Sequence, residues 1–227
     1  MNEFINVTLQ LAEGFKTTLG LFFLTLLFSI PLGLLVAVCA RSHFTPLRIL
    51  IRGFVYIIRG TPLLLQLMIV VYLPGIAFQY PITKWPIFGG DVSMAYFYGA
   101  LVAFVINYAC YFYEIFRGGI ENIPKGQYEA AEVLGMTKSQ IFFKVILLQV
   151  IRNILAPMSN EIITLVKDTA LARTVSVMEM LFFAEEILTN QYIVWPLFYT
   201  GVFYLVFSAL LTFLFNLAEK KLSKYWN

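Results

Sequence analysis

The chain has 227 residues, 60% of them hydrophobic and only 13% charged, with a formal net charge of +3. Soluble domains carry about 25% charged residues, so the balance excludes a soluble globular protein and identifies an integral membrane one. The basic residues lie in loops beside apolar runs, which gives no sign of nucleic acid, and no polar stretch is long enough for a second domain, so residues 1–227 form one membrane domain. Residues 2–14 are mildly amphipathic and are expected at the membrane interface. The first span covers about 17–40, since crossing the hydrocarbon takes about 20 apolar residues. It contains Pro31 and Gly33, which membrane helices tolerate when neighbours re-satisfy the backbone. Glu3 and Glu13 precede this run, which is too long for a signal-peptide core, so the segment is expected to be retained. A polar turn follows with His43, the only histidine, taken as a solvated loop residue.

The second span covers about 50–73 and is interrupted by Arg59-Gly60-Thr61-Pro62. Pro62 removes a helical hydrogen bond and should kink the helix, and Arg59 must snorkel or pair. Residues 74–92 form a loop with Tyr80, Trp85 and Phe88, rings that favour the headgroup level. In the third span, about 92–116, Asn107, Tyr111 and Glu114 fall at i, i+4 and i+7 on one face. Glu114 and Arg117 are three apart and can pair, a structural role favoured over substrate contact. Cys39 and Cys110 both lie in apolar runs, lack metal-ligand spacing and are expected to be small buried hydrophobes.

Residues 118–142 separate the third and fourth spans. Pro124 can start a helix without losing a helical hydrogen bond, and Gly135 should end it near Leu134. Thr137 and Gln140 match a capping box that starts a second helix. The fourth span, about 142–166, carries a polar face of Asn153, Pro157, Asn160 or Glu161, Thr164, and Lys167 or Asp168. Glu161 and Asp168 are seven apart, close to two turns, and share that face. Carboxylates at such depth are functional by default. A short amphipathic helix over 176–189 carries Glu179, Glu185 and Glu186. A fifth span over about 193–217 ends in the cationic anchor Lys220, Lys221 and Lys224.

Four stretches, in order, resemble the permeases of ABC importers of the polar amino acid family. They are Arg59-Gly60-Thr61-Pro62 within IRGTPLLLQL; Glu114 to Ile120 (EIFRGGI); Glu129-Ala130-Ala131 with Gly135 and Ile146-Leu147; and NEIITLVKDTAL from Asn160, with Ala170 where serine is common. The resemblance spans nearly the whole chain. It implies an all-α type I ABC importer (MetI-like) permease fold with about five transmembrane helices. It also implies that Glu129, Ala130, Ala131 and Gly135 couple to an ATPase, the alternative for this loop being an interfacial helix that binds nothing. The family usually has proline where this chain has Leu148, which bears on the shape of the start of the fourth span. In the family that span lines the translocation pathway, so Glu161, Asp168, Asn160, Thr164 and Tyr111 are candidate substrate contacts. Arg59, Pro62, Glu114, Arg117 and Lys167 are candidate structural or gating residues.

The chain has no GxxxxGK[ST] loop, so ATP and magnesium are expected on a partner subunit, with no cofactor, metal or catalytic residue here. The partners implied are ATPase subunits, a second permease subunit (identical or not), an extracellular solute-binding protein, an amino acid and membrane lipid, in a prokaryotic inner or plasma membrane. Five spans put the ends on opposite sides. With the loop 118–142 and the C-terminus in the cytoplasm and the N-terminus outside, only Lys16, Lys84, Lys167 and Arg173 of the 16 Lys and Arg lie outside, in keeping with the positive-inside rule. Two carboxylates on one face suit a basic amino acid, because they attract and hydrogen-bond a cation. Glutamine or another polar amino acid stays open, since Lys167 adjoins Asp168. A channel would not need the docking loop, and a secondary transporter would show two related halves, which are not found.

Overall fold

The computed structural model describes residues 2–223, and these are helical almost throughout. The helices are α1 (Asn2–Cys39), α2 (Thr45–Gly60), α3 (Leu63–Phe78), α4 (Val92–Glu121), α5 (Lys125–Val133), α6 (Lys138–Gln140), α7 (Leu147–Asp168), α8 (Met180–Gln191) and α9 (Trp195–Ser223). A π-helical segment, Ile141–Ile146, joins α6 to α7, and a 3₁₀ segment, Thr169–Val175, continues α7. Four helices are each long and apolar enough to cross a bilayer: Glu3–Cys39, Val92–Glu121, Lys138–Val175 and Trp195–Lys221. The α2–α3 pair makes a fifth candidate span, broken by 106°.

Several boundaries differ from the sequence-based expectation. Residues 2–14 are not a separate interfacial segment but the first turns of α1. They stay helical because α8 gives them a packing surface: Val7 and Leu11 are buried against Met180, Ala184 and Ile187. The second span is not a kinked rod but two helices at more than a right angle. The helix of the fourth span begins at Lys138 rather than near residue 142, and α4 runs on to Glu121. The amphipathic helix begins at Met180, because Ser176 is left-handed (φ 62°) and Glu179 is the N-cap. Lys224 lies outside the described residues.

The main core lies where α1 crosses α4, with Leu21, Phe22, Phe104, Phe112 and Tyr113 fully or nearly buried. The close approach depends on Gly33: a Cβ there would stand 2.8 Å from the Ala109 carbonyl oxygen and 2.8 Å from Phe112 Cβ. Small residues at helix crossings are how membrane helices gain contact, since lipid supplies no hydrophobic drive between them. Apolar side chains point outward along α2, α3 and α9, among them Leu50, Ile57, Ile69, Leu205 and Phe213, as expected of surfaces that meet lipid or another membrane subunit.

Candidate functional site

The break between α2 and α3 positions the first part of the site. Pro62 cannot donate a hydrogen bond and holds an extended conformation (ψ 136°), so α2 stops at Gly60. The exposed carbonyls are then gathered by one side chain. Gln66 Nε2 donates to the Ile58 carbonyl (2.7 Å), to Thr61 Oγ1 (3.0 Å) and to the Thr61 carbonyl (3.1 Å). Gln66 Oε1 in turn accepts from Asn107 Nδ2 on α4 (3.0 Å). Gln66 was not singled out from the sequence, although a glutamine inside the apolar run LLLQLMIVV was a usable signal. Asn107, placed on the α4 polar face from its spacing, is the residue that ties the break to α4.

Held in this way, α2 presents Arg59 to α4. Its guanidinium lies over the Tyr111 ring, 5.0 Å from the centroid, and Nη1 stands 3.8 Å from Glu114 Oε1. Glu114 is more tightly engaged by Arg117, at 2.6 and 3.0 Å, and Arg117 also reaches Glu121 at 2.7 Å. The expected Glu114–Arg117 pair is therefore present and extends into a small network. Between α2 and α4 lies a cavity of about 670 Å³ lined by Arg52, Tyr56, Arg59, Tyr111, Glu114 and Arg117 among others.

The α7 face forms the second part. Glu161, Thr164 and Asp168 are half-buried, while Asn160 and Lys167 are exposed. Tyr108 donates its hydroxyl to Asp168 Oδ2 at 2.7 Å. Arg59 and Asp168 are the charged neighbours of Glu161, and Lys167 that of Asp168. Of the five candidate substrate contacts, Tyr111 lines the α2–α4 cavity, whereas Glu161 and Asp168 do not. The aromatic contact to Asp168 is Tyr108, one turn earlier on α4; its ring centroid is 6.3 Å from that of Tyr111. Tyr108 pairs with a residue 60 positions away, and no local pattern in the sequence distinguishes it from Tyr111.

The loop 118–142 follows its local signals closely. Pro124 is the N-cap of α5, and Gly135 adopts φ 72°. The Gly135 N–H bonds the Glu132 carbonyl (2.9 Å) and the Met136 N–H bonds the Ala131 carbonyl (3.2 Å), the paired bonds of a Schellman motif. The Thr137–Gln140 capping box is complete. Ala131 faces inward against Ile123, Ile141, Ile146 and Val150, while Glu129, Ala130 and Gly135 face outward. Val133 and Leu134 are 88% and 79% exposed. The π-helical segment ends at Ile146, so the helix widens just before Leu148.

Comparison with known proteins accords with this geometry. Residues 29–224 match the model of a family described as binding-protein-dependent transport system inner membrane component. The L-cystine transport system permease protein TcyB of Bacillus subtilis (strain 168) is 36% identical over 95% of this chain and 87% of its own length. The arginine ABC transporter permease protein ArtM of Escherichia coli (strain K12) is 33% identical over 76% of each chain. The crystal structure of an amino acid ABC transporter with histidines superposes with a TM-score of 0.84 at 29% identity, over 96% of this chain and 97% of that one. The chain belongs to the family of inner membrane components of binding-protein-dependent transport systems, the permease subunits of ABC importers.

Proposed function

We propose that this chain is the membrane subunit of an importer that takes up a basic amino acid (arginine, lysine or histidine) by alternating access. ATP and magnesium bind to partner ATPase subunits, whose closure is transmitted through α5 to the spans. Two permease subunits and an extracellular solute-binding protein complete the assembly, with the loop 118–142 and the C-terminus cytoplasmic and the N-terminus outside. The observation that carries the substrate reading is the pair Glu161 and Asp168, half-buried on one face of α7. Carboxylates withdrawn from water attract a cation more strongly than exposed ones do. Glu129, Ala130 and Gly135 form the outward surface of the coupling element, with Ala131 packing it to the membrane domain.

A specific observation favours a second reading. Asp168 accepts from Tyr108, and Arg59 lies near Glu161, so part of the negative charge is already answered within the chain. That arrangement suits a neutral polar amino acid such as glutamine, whose only cation is its α-ammonium, or cystine, whose cations are its two α-ammonium groups. Uptake by proteoliposomes containing the permease, ATPase and binding protein separates the two. Under the first reading Glu161→Gln lowers L-arginine uptake by about tenfold or more, the worth of one charge-assisted hydrogen bond, and spares L-glutamine. Equal loss for both substrates would reject Glu161 as the basis of a preference for cations.

A further inference from the structure

An amino acid brings a carboxylate along with its ammonium, and the face of α7 shared by Glu161 and Asp168 offers that carboxylate no cation. Glu161 and Asp168 repel it, and Asn160 and Thr164 are neutral. Lys167 is exposed and lies about 100° around the helix from Asp168, off the shared face. Arg59 is placed differently. It reaches in from α2, stacks on Tyr111 and is a charged neighbour of Glu161. Its only ion pair among the described residues is the 3.8 Å one with Glu114, and Glu114 is held at 2.6 Å by Arg117. A guanidinium has five N–H donors in a planar fork that matches a carboxylate edge to edge, and those of Arg59 are largely unspent. The cavity it lines, about 670 Å³, falls within the range of sites that hold small molecules. The helix that carries it is fixed at its C-terminal end by the Gln66–Asn107 hydrogen bonds.

We infer that Arg59 receives the α-carboxylate of the transported amino acid at the edge of the α2–α4 cavity, and that the ligand reaches from there toward Glu161 on α7, which lies outside the cavity lining. The inference rests on the amino-acid reading given above. The guanidinium carbon sits over the Tyr111 ring, 5.0 Å from its centroid, a cation–π contact that anchors one face of the group. Arg117 engages only Oε2 of Glu114, so the ligand carboxylate has to displace Glu114 Oε1, 3.8 Å away, from Arg59. Selection of this kind separates amino acids from amines of the same side chain, a distinction the α7 face alone cannot make.

The test is calorimetric titration of the permease–ATPase complex in nanodiscs, without binding protein. The probes are L-arginine, L-glutamine and their carboxamides, in which a neutral amide replaces the carboxylate. Wild-type complex should bind an acid at least about tenfold more tightly than its amide, the gain expected of a charge-assisted pair. Arg59→Gln should bring the acid down to the level of the amide and leave the amide unchanged. Arg59→Lys should recover part of the preference, and Arg41→Gln, exposed in the turn before α2 and outside the cavity lining, should keep all of it. A preference that survives in Arg59→Gln, or that is lost equally in Arg41→Gln, overturns the assignment, as does a wild-type complex that binds acid and amide alike. A wild-type complex that binds none of the four probes rejects arginine and glutamine as cargo, and this inference with them.

Discussion

Replacing Gln66 with leucine should loosen the membrane domain at its broken span and misplace Arg59. The side chain makes three donor contacts, to the Ile58 carbonyl, Thr61 Oγ1 and the Thr61 carbonyl, and accepts one bond from Asn107. The Ile58 carbonyl keeps other partners, since the Thr61 N–H (3.4 Å) and hydroxyl (3.3 Å) also reach it. The Asn107 amide, only 5% exposed, loses its acceptor. An intramolecular hydrogen bond is worth about 1 kcal/mol net, and a buried group left unpaired costs about 1–3 kcal/mol. The expected loss is about 2–4 kcal/mol, or on the order of 5–15 °C in melting temperature for a chain of this size. Asn107→Val alone should cost a similar amount. Because both changes break one network, the double variant should lose much less than the two losses added, a coupling of about 1–3 kcal/mol. The assay is thermal unfolding of the reconstituted complex, with transport measured in parallel, which should fall in both single variants. Unchanged melting in Gln66→Leu, or losses that simply add in the double variant, would refute the claim that this network fixes the α2–α3 break.

Gly33→Ala should destabilise although alanine favours helix by about 1 kcal/mol. The new Cβ meets the Ala109 carbonyl oxygen at 2.8 Å and Tyr113 N at 3.1 Å, backbone that cannot rotate away, and overpacking costs about 1–3 kcal/mol. Gly53→Ala, with nothing within 4 Å, is the matched control and should be neutral or stabilising in the same melting assay. Gly135→Asp should uncouple ATP hydrolysis from uptake while the protein still inserts, because φ 72° strains a side chain and the change falls on the outward face of the coupling loop; normal uptake would refute that role. Glu179 lies between the spans, fully buried, and burial pushes its carboxyl from 4.5 up to about 7 against the pull of the Leu181 and Phe182 N–H groups, Tyr204 and Arg173. The native chain therefore holds a proton that the unfolded chain releases between these values, so stability should fall as pH rises from 4.5 to 7 and level off above. Melting temperatures across that window should show this slope in the wild type and a flatter one in Glu179→Gln; an equal slope in both would contradict it.

What could be foreseen from the sequence divides by how local the cause is. The turn at Gly135 and the cap at Thr137 depend on residues within five positions, and both form as their chemistry dictates. The apolar runs are equally legible, because a bilayer-length segment signals itself by composition. The 106° break is not, because Pro62 sets only the interruption, while the angle is held by Gln66 and an asparagine 41 positions further on. The length of α1 is illegible for the same reason: Val7 and Leu11 lie among Asn6, Thr8 and Gln10 and signal nothing until α8 packs on them. In the site, the shared face of Glu161 and Asp168 follows from helical period alone. Their separation from the α2–α4 cavity, and the choice of Tyr108 over Tyr111 as the partner of Asp168, depend on how α4 is rotated against α7, which no window of sequence records.

Coupling of ATP hydrolysis on a partner subunit to amino-acid import is the function proposed for this permease. The most direct measurement is ATP hydrolysis by the chain reconstituted with its ATPase partner and solute-binding protein, across arginine, lysine, histidine, glutamine and cystine. Stimulation is expected when the binding protein is loaded, strongest for the basic amino acids, and is expected to be lost in Gly135→Asp. Hydrolysis that none of these amino acids stimulates, with no ATP-dependent uptake of any of them, would contradict it.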